Sequence, residues 1–144
     1  MGSLAISEYG TEVTHDWYPD GAANAGDGYV EIYNGVGGTI AITDYTLQIV
    51  GGDGITTTYT FNATLPAGRY YVLWAGDMGA TLPATGTISL LNDLAIPVAT
   101  AVVAVTPSPG QSMQFCGGVW VSQLGSPGEP CGYWTGRATP TARP

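Results

Sequence analysis

The sequence predicts an all-β domain, and three observations carry that reading. No window shows apolar residues recurring at helical spacing without interruption by Gly or Pro. The 22 Gly and 10 Pro are enough to supply turns between many short strands. Between those turns stand runs of aromatic and β-branched residues, several of them alternating with polar ones as a half-buried strand does. At 144 residues the chain is long enough for one domain with a sandwich-sized core.

Taken in order, Leu4-Ala5-Ile6-Ser7-Glu8 alternates apolar and polar residues and reads as a first strand. A long loop over 10–28 follows, and loops of that length often carry function. Tyr29–Asn34 is the second strand, with Val30 and Ile32 on one face and Tyr29, Glu31 and Tyr33 on the other. A turn at Gly35–Gly38 leads to a short strand holding Ile40 and Ile42. Tyr45–Val50 alternates with Leu47 and Ile49 as core residues, and Gly51-Gly52-Asp53-Gly54 is a hairpin signal that returns the chain along Thr57, Tyr59 and Phe61.

Leu65-Pro66-Ala67-Gly68 then turns the chain into the strand Arg69–Ala75. Val72 and Trp74 share one face of it and Tyr71 and Leu73 the other, which predicts a central strand with packing partners on both sides. Thr87–Asn92 and Pro97–Val105 are two further strands. Thr106-Pro107-Ser108-Pro109-Gly110 turns the chain toward Ser112–Phe115 and Val119–Val121. Eight or nine short strands at this spacing predict a sandwich or a barrel, and the pattern does not choose between them. Met1-Gly2-Ser3 reads as an added start, residues 4–134 as the β domain, and 135–144 as a Thr/Pro-rich linker or tail. The expectation is a domain cut from a longer, modular chain.

Charge narrows the partners. The formal net charge is −8, with three Arg and no Lys, and the pI is near 4.1. Nucleic-acid surfaces bring Lys and Arg to phosphates, so this balance argues against DNA or RNA and equally against an anionic membrane surface. Charged residues make up 10% of the chain, which leaves the surface to Thr, Ser, Gln and Gly. The most apolar run, Leu94–Val105, is too short to span a bilayer. Any signal peptide is expected to have preceded Met1 and been removed.

No catalytic set is expected. His15 is the one histidine, and no Gly-x-Ser-x-Gly elbow accompanies it. Zinc lacks a ligand set, with one His and two widely spaced Cys. Glu8 and Glu31 invite a paired-carboxylate reading, but Glu8 shares parity with Leu4 and Ile6 whereas Glu31 opposes Val30 and Ile32. The pair is therefore not required to meet in one cleft, and each is expected to accept hydrogen bonds near a strand end. The Gly-rich turns complete no phosphate loop.

Three candidate features remain. Asp16, Asp20, Asn24 and Asp27 lie in one loop and offer the oxygen ligands Ca²⁺ takes, although their spacing is not that of an EF-hand. Trp17 and Tyr18 in the same loop are suited to stacking on a glycan or anchoring a protein, or to folding back as a lid. Cys116 and Cys131 would close a turn-rich loop of about 15 residues, a bridge worth roughly 3 kcal/mol and the mark of a secreted or surface protein. The sequon Asn62-Ala63-Thr64 matters if the source is eukaryotic.

In order along the chain, these blocks resemble the lamin tail domain family in its bacterial extracellular form. The resemblance rests on Leu4–Glu8 followed by Tyr29–Asn34, on Ile42–Leu47 running into Tyr59–Phe61, and on Leu65–Ala75 with Gly76–Ala80. Gly110–Gln114, Trp120 and Ser126-Pro127-Gly128 close it. It covers roughly residues 4 to 130. It implies an immunoglobulin-like β-sandwich without catalytic residues of its own, attached to a larger secreted or surface protein. The chain departs from the family pattern in the length of the Tyr9–Asp27 loop, at Phe115 where a basic residue is usual, and at Cys131 near a usual Asn. The expected function is a non-catalytic extracellular module for adhesion, assembly or substrate targeting. A self-assembling structural subunit is the alternative.

Overall fold

The computed structural model describes residues 4–11, 28–79, 82–104, 111–116 and 119–124. Eleven strands and one short helix lie among them: β1 Leu4–Gly10, β2 Tyr29–Asn34, β3 Ile40–Ala41, β4 Thr46–Gly51, β5 Thr56–Thr60, β6 Thr64–Leu65, β7 Tyr70–Trp74, α1 Ala75–Met78, β8 Gly86–Leu91, β9 Pro97–Val103, β10 Gln111–Cys116 and β11 Val119–Leu124. Two antiparallel sheets hold nine of these strands, in the orders β11-β10-β1-β2-β7 and β5-β4-β8-β9. The two-residue strands β3 and β6 pair beside them. This is an immunoglobulin-like β-sandwich, which decides the choice the turn pattern left open.

The core lies between the two sheets. Ile6, Val30, Ile32 and Leu73 come from the five-stranded sheet, and Leu47, Ile49, Ile88 and Leu90 from the four-stranded one. Each alternates with outward residues as strand geometry requires. The Gly51–Gly54 hairpin forms as expected, with Gly54 at φ 85° and its N–H donating to the Gly51 carbonyl at 2.9 Å.

β7 corrects one expectation. Both of its faces are buried, but among the described residues it stands at the edge of its sheet, not in the middle. Tyr71 and Leu73 face the main core, whereas Val72 and Trp74 join Tyr29 in a second, smaller cluster on the opposite face. Two-faced burial thus arises from a covered outer face rather than from a central position.

Asn34, fully buried, ties the turns around β7 together. Its side-chain amide donates to the carbonyls of Gly38 and Leu65, both at 2.9 Å, and its Oδ1 accepts from the Val36 N–H at 2.9 Å. Its backbone carbonyl accepts from Gly68 N–H, and its own N–H donates to the Arg69 carbonyl. One residue therefore pins the 35–38 turn and β6 through its side chain and the Pro66–Arg69 turn through its backbone, and the buried amide is satisfied.

Candidate functional site

Polar residues of β10, β1 and β2 come together on the outer face of the five-stranded sheet. The strand register sets Gln114, Glu8, Glu31 and Val72 side by side across β10, β1, β2 and β7. Glu8 and Glu31 are direct partners, each 1% exposed. The parity argument that separated them fails because of a β-bulge between Ile6 and Glu8, where β1 advances two residues and β2 one. The extra residue, Ser7, resets the alternation and puts Glu8 on the face opposite Ile6. Without that bulge Glu8 would point into the apolar core.

Like charges directly opposite each other on neighbouring strands repel. Hydroxyl donors hold these two. Ser7 Oγ donates to Glu31 Oε1 at 2.6 Å, Ser112 Oγ donates to Glu8 Oε2 at 2.6 Å, and the Tyr29 hydroxyl donates to the same Glu8 oxygen. Gln114 Nε2 donates to Ser112 Oγ at 3.0 Å and extends the chain of bonds. Gly10 makes the Tyr29 contact sterically feasible. A Cβ there would stand 3.0 Å from Tyr29 Cε1 and 3.2 Å from Ser112 Cβ, so a side chain would crowd the ring that carries the hydroxyl to Glu8. Trp74 packs edge-on against the same ring, centroids 5.5 Å apart.

Beside the carboxylates the sheet opens into a cavity of about 320 Å³, lined by Glu8 and Glu31 together with Tyr33, Tyr70 and Phe115. The Tyr33 and Tyr70 rings lie 4.8 Å apart, tilted by 40°. Burial first, then the nearby Glu31, pushes the Tyr70 phenol up to about 12. Burial raises Tyr29 well above its ordinary value, and Glu8 adds to this by charge and by accepting its hydrogen bond. Burial alone also raises Tyr9, whose hydroxyl donates to the Pro83 carbonyl.

These shifts have a consequence at high pH. Raised folded-state values mean the native protein keeps phenolic protons that the unfolded chain releases near pH 10. Stability from these groups is therefore complete below about pH 10 and falls above it, by about 1.4 kcal/mol per pH unit for each buried phenol that stays protonated. Urea midpoints measured at rising pH should drop steeply in that range. Midpoints that stay flat well above the ordinary phenol value would contradict the burial of Tyr9 and Tyr29.

Several residues singled out from the sequence lie outside the described residues: Asp16, Trp17, Tyr18, Asp20, Asn24, Asp27 and Cys131. Cys116 ends β10 and is not a free thiol. Among the described residues no group of three or more His, Cys, Asp or Glu stands close enough to hold a metal ion. No helix among them is long and apolar enough to cross a membrane. The residues missed as a site are Ser7, Tyr29, Ser112 and Gln114, whose sequence signal is weak because each also fits an ordinary strand.

The comparison with known families matches the Lamin Tail Domain over residues 4–112. No curated protein matches the chain.

Proposed function

The chain belongs to the lamin tail domain family, and on that premise we propose that it is a non-catalytic extracellular module of a larger secreted or surface protein, serving adhesion, assembly or substrate targeting. The observation that carries a contact role is the four-stranded sheet. None of the residues in β4, β5, β8 and β9 is charged. Its outer face presents Thr58, Gln48, Ser89 and Thr100 in one row, with Thr56, Val50, Thr87 and Val102 in the next. Val98 and Val102 stand exposed on β9, with Leu94 and Ile96 exposed in the turn before it. On a chain of net charge −8, such a face is where another surface can approach without charge repulsion or the cost of stripping water from ions.

The paired carboxylates do not favour an enzyme. A glycosidase acid–base pair must flank a scissile bond and exchange protons with it. Glu8 and Glu31 are buried, and each accepts a hydroxyl hydrogen bond from the protein itself.

Self-assembly is the second reading, favoured by the exposed aliphatics along β9, which among the described residues is an edge strand of the uncharged sheet. Sedimentation over a wide concentration range separates the two. A persistent monomer supports a module that contacts a different partner. Oligomers that are insensitive to salt and are dissolved by Val102→Glu support assembly. The substitution places a charge at a position already 63% exposed, so it should leave folding intact. The extracellular setting is supported if intact mass shows Cys116 and Cys131 joined before reduction, and two free thiols would oppose it. A melting temperature indifferent to Ca²⁺ and to chelator would remove calcium at Asp16, Asp20, Asn24 and Asp27 from the proposal.

A further inference from the structure

We propose that Asn34-Gly35 is a spontaneous modification site that the native fold holds closed, so that unfolding exposes it and its reaction makes the unfolding irreversible. The inference is independent of which surface the domain uses for contact.

The chemistry follows from the pair itself. Asn34-Gly35 is the only Asn-Gly pair in the sequence, and a glycine places no Cβ in the path of its own backbone nitrogen. In a free chain that nitrogen attacks Asn34 Cγ. The Cγ–Nδ2 bond breaks, and Nδ2 leaves as ammonia with the proton that the Gly35 nitrogen gives up. Water then opens the cyclic imide at either carbonyl. The product is aspartate in its normal form, or in an isomeric form whose main chain runs through the side-chain carbons. The reaction needs no oxidant, reductant or enzyme.

The folded protein blocks it in three ways. Asn34 is 0% exposed, which keeps water and base from the amide. The amide cannot turn toward Gly35, because Nδ2 donates to the carbonyls of Gly38 and Leu65 and Oδ1 accepts from the Val36 N–H, each at 2.9 Å. The backbone is held as well, with Asn34 N–H donating to the Arg69 carbonyl at 3.0 Å and Gly68 N–H donating to the Asn34 carbonyl at 2.9 Å. Freeing the side chain therefore means parting β2 from β6 and from the Pro66–Arg69 turn, a larger opening than the fraying of one loop.

The product does not fit the place it came from. Aspartate puts a carboxylate oxygen where Nδ2 donated, so that a buried charge faces two carbonyl oxygens. The isomeric form lengthens the main chain before the 35–38 turn and converts the carbonyl that accepts from Gly68 into a free carboxylate. A modified chain is thereby lost to refolding, and each excursion to the unfolded state drains the native pool.

The test holds the protein in warm neutral buffer, once folded and once in guanidinium chloride, and follows Asn34 by peptide mapping through the mass gain of an amide turned to an acid. Conversion should be roughly a thousandfold or more faster in denaturant, the scale set by the unfolded fraction of a stable domain. On dilution from denaturant, the share of molecules that regain native tryptophan fluorescence should fall in step with conversion. Gly35→Ala, at a glycine outside the positive-φ region, should slow conversion in denaturant and preserve refolding. Asn34→Asp introduces the product directly and should lose the parent's thermal transition. Comparable conversion rates in the two states, a refolding yield that does not follow conversion, or Asn34→Asp with the parent's melting temperature would each overturn the proposal. If Gly35→Ala fails to fold, its conversion rate in denaturant and the behaviour of Asn34→Asp still decide.

Discussion

Phe61→Ala is expected to remove about 3–5 kcal/mol of stability, out of the roughly 5–15 kcal/mol typical of a folded domain. Phe61 is 1% exposed and meets two other rings edge-on, Tyr59 at 5.2 Å and Tyr71 at 5.3 Å. Tyr59 belongs to the four-stranded sheet and Tyr71 to the five-stranded one, so the Phe61 ring bridges the two layers. Its backbone cannot follow a collapse into the void. Its N–H donates to the Tyr45 carbonyl and its carbonyl accepts from Asp44 N–H. Truncation therefore loses the transfer energy of the ring and leaves a cavity that relaxes poorly. Phe61→Leu refills most of that volume and should cost less than about 1.5 kcal/mol. Urea denaturation of the two variants checks the ordering. Equal midpoints for Phe61→Ala and the parent would mean that the ring does not bridge the sheets.

Most strands were legible because their evidence is local. Alternation in Tyr45–Val50 and Thr87–Asn92, with Gly51–Gly54 between two such runs, fixes strand, face and hairpin from neighbouring residues. The family resemblance then supplied the sandwich, which alternation cannot specify. The failures share a cause: they depend on what a strand lies beside. The two buried faces of β7 were read correctly, but its place at a sheet edge is a matter of strand order, which the sequence of β7 does not encode. β6 and α1 are too short for any period to show.

The bulge at Ser7 is the most consequential miss. Its only local sign was a glutamate placed in phase with Leu4 and Ile6, an acid where an apolar residue was due. Taken as evidence of a parity break, that mismatch would have put Glu8 opposite Glu31. Asn34 gave no sign at all, because its partners Gly38, Leu65, Gly68 and Arg69 are up to 35 residues away.

Glu8→Ala provides the sharpest check on that outer-face network, with an expected cost of roughly 2–4 kcal/mol. The substitution strips the Tyr29 and Ser112 hydroxyls of the charged acceptor they share, and each loses a buried hydrogen bond to a carboxylate, worth about 1.5–3 kcal/mol, which the remaining Tyr29–Ser112 contact offsets in part. Relief of repulsion from Glu31 offsets less than about 1 kcal/mol of this, the usual size of a cross-strand pair. Glu8→Gln retains a carbonyl oxygen at the same place, so it should fall between Glu8→Ala and the parent. Tyr29→Phe should cost less in the Glu8→Ala background than in the parent, because its bond to Glu8 is already gone. A coupling within error of zero would mean that Tyr29 does not donate to Glu8. Spectrophotometric titration adds an independent readout. Burial is the largest cause of the raised Tyr29 value, with Glu8 next. Glu8→Ala should therefore lower the Tyr29 value while leaving it above that of an exposed phenol. If the value instead fell all the way to the exposed one, the ring would be solvated in the variant, and the small cluster of Tyr29, Val72 and Trp74 would be held together by Glu8 rather than by its own apolar contacts.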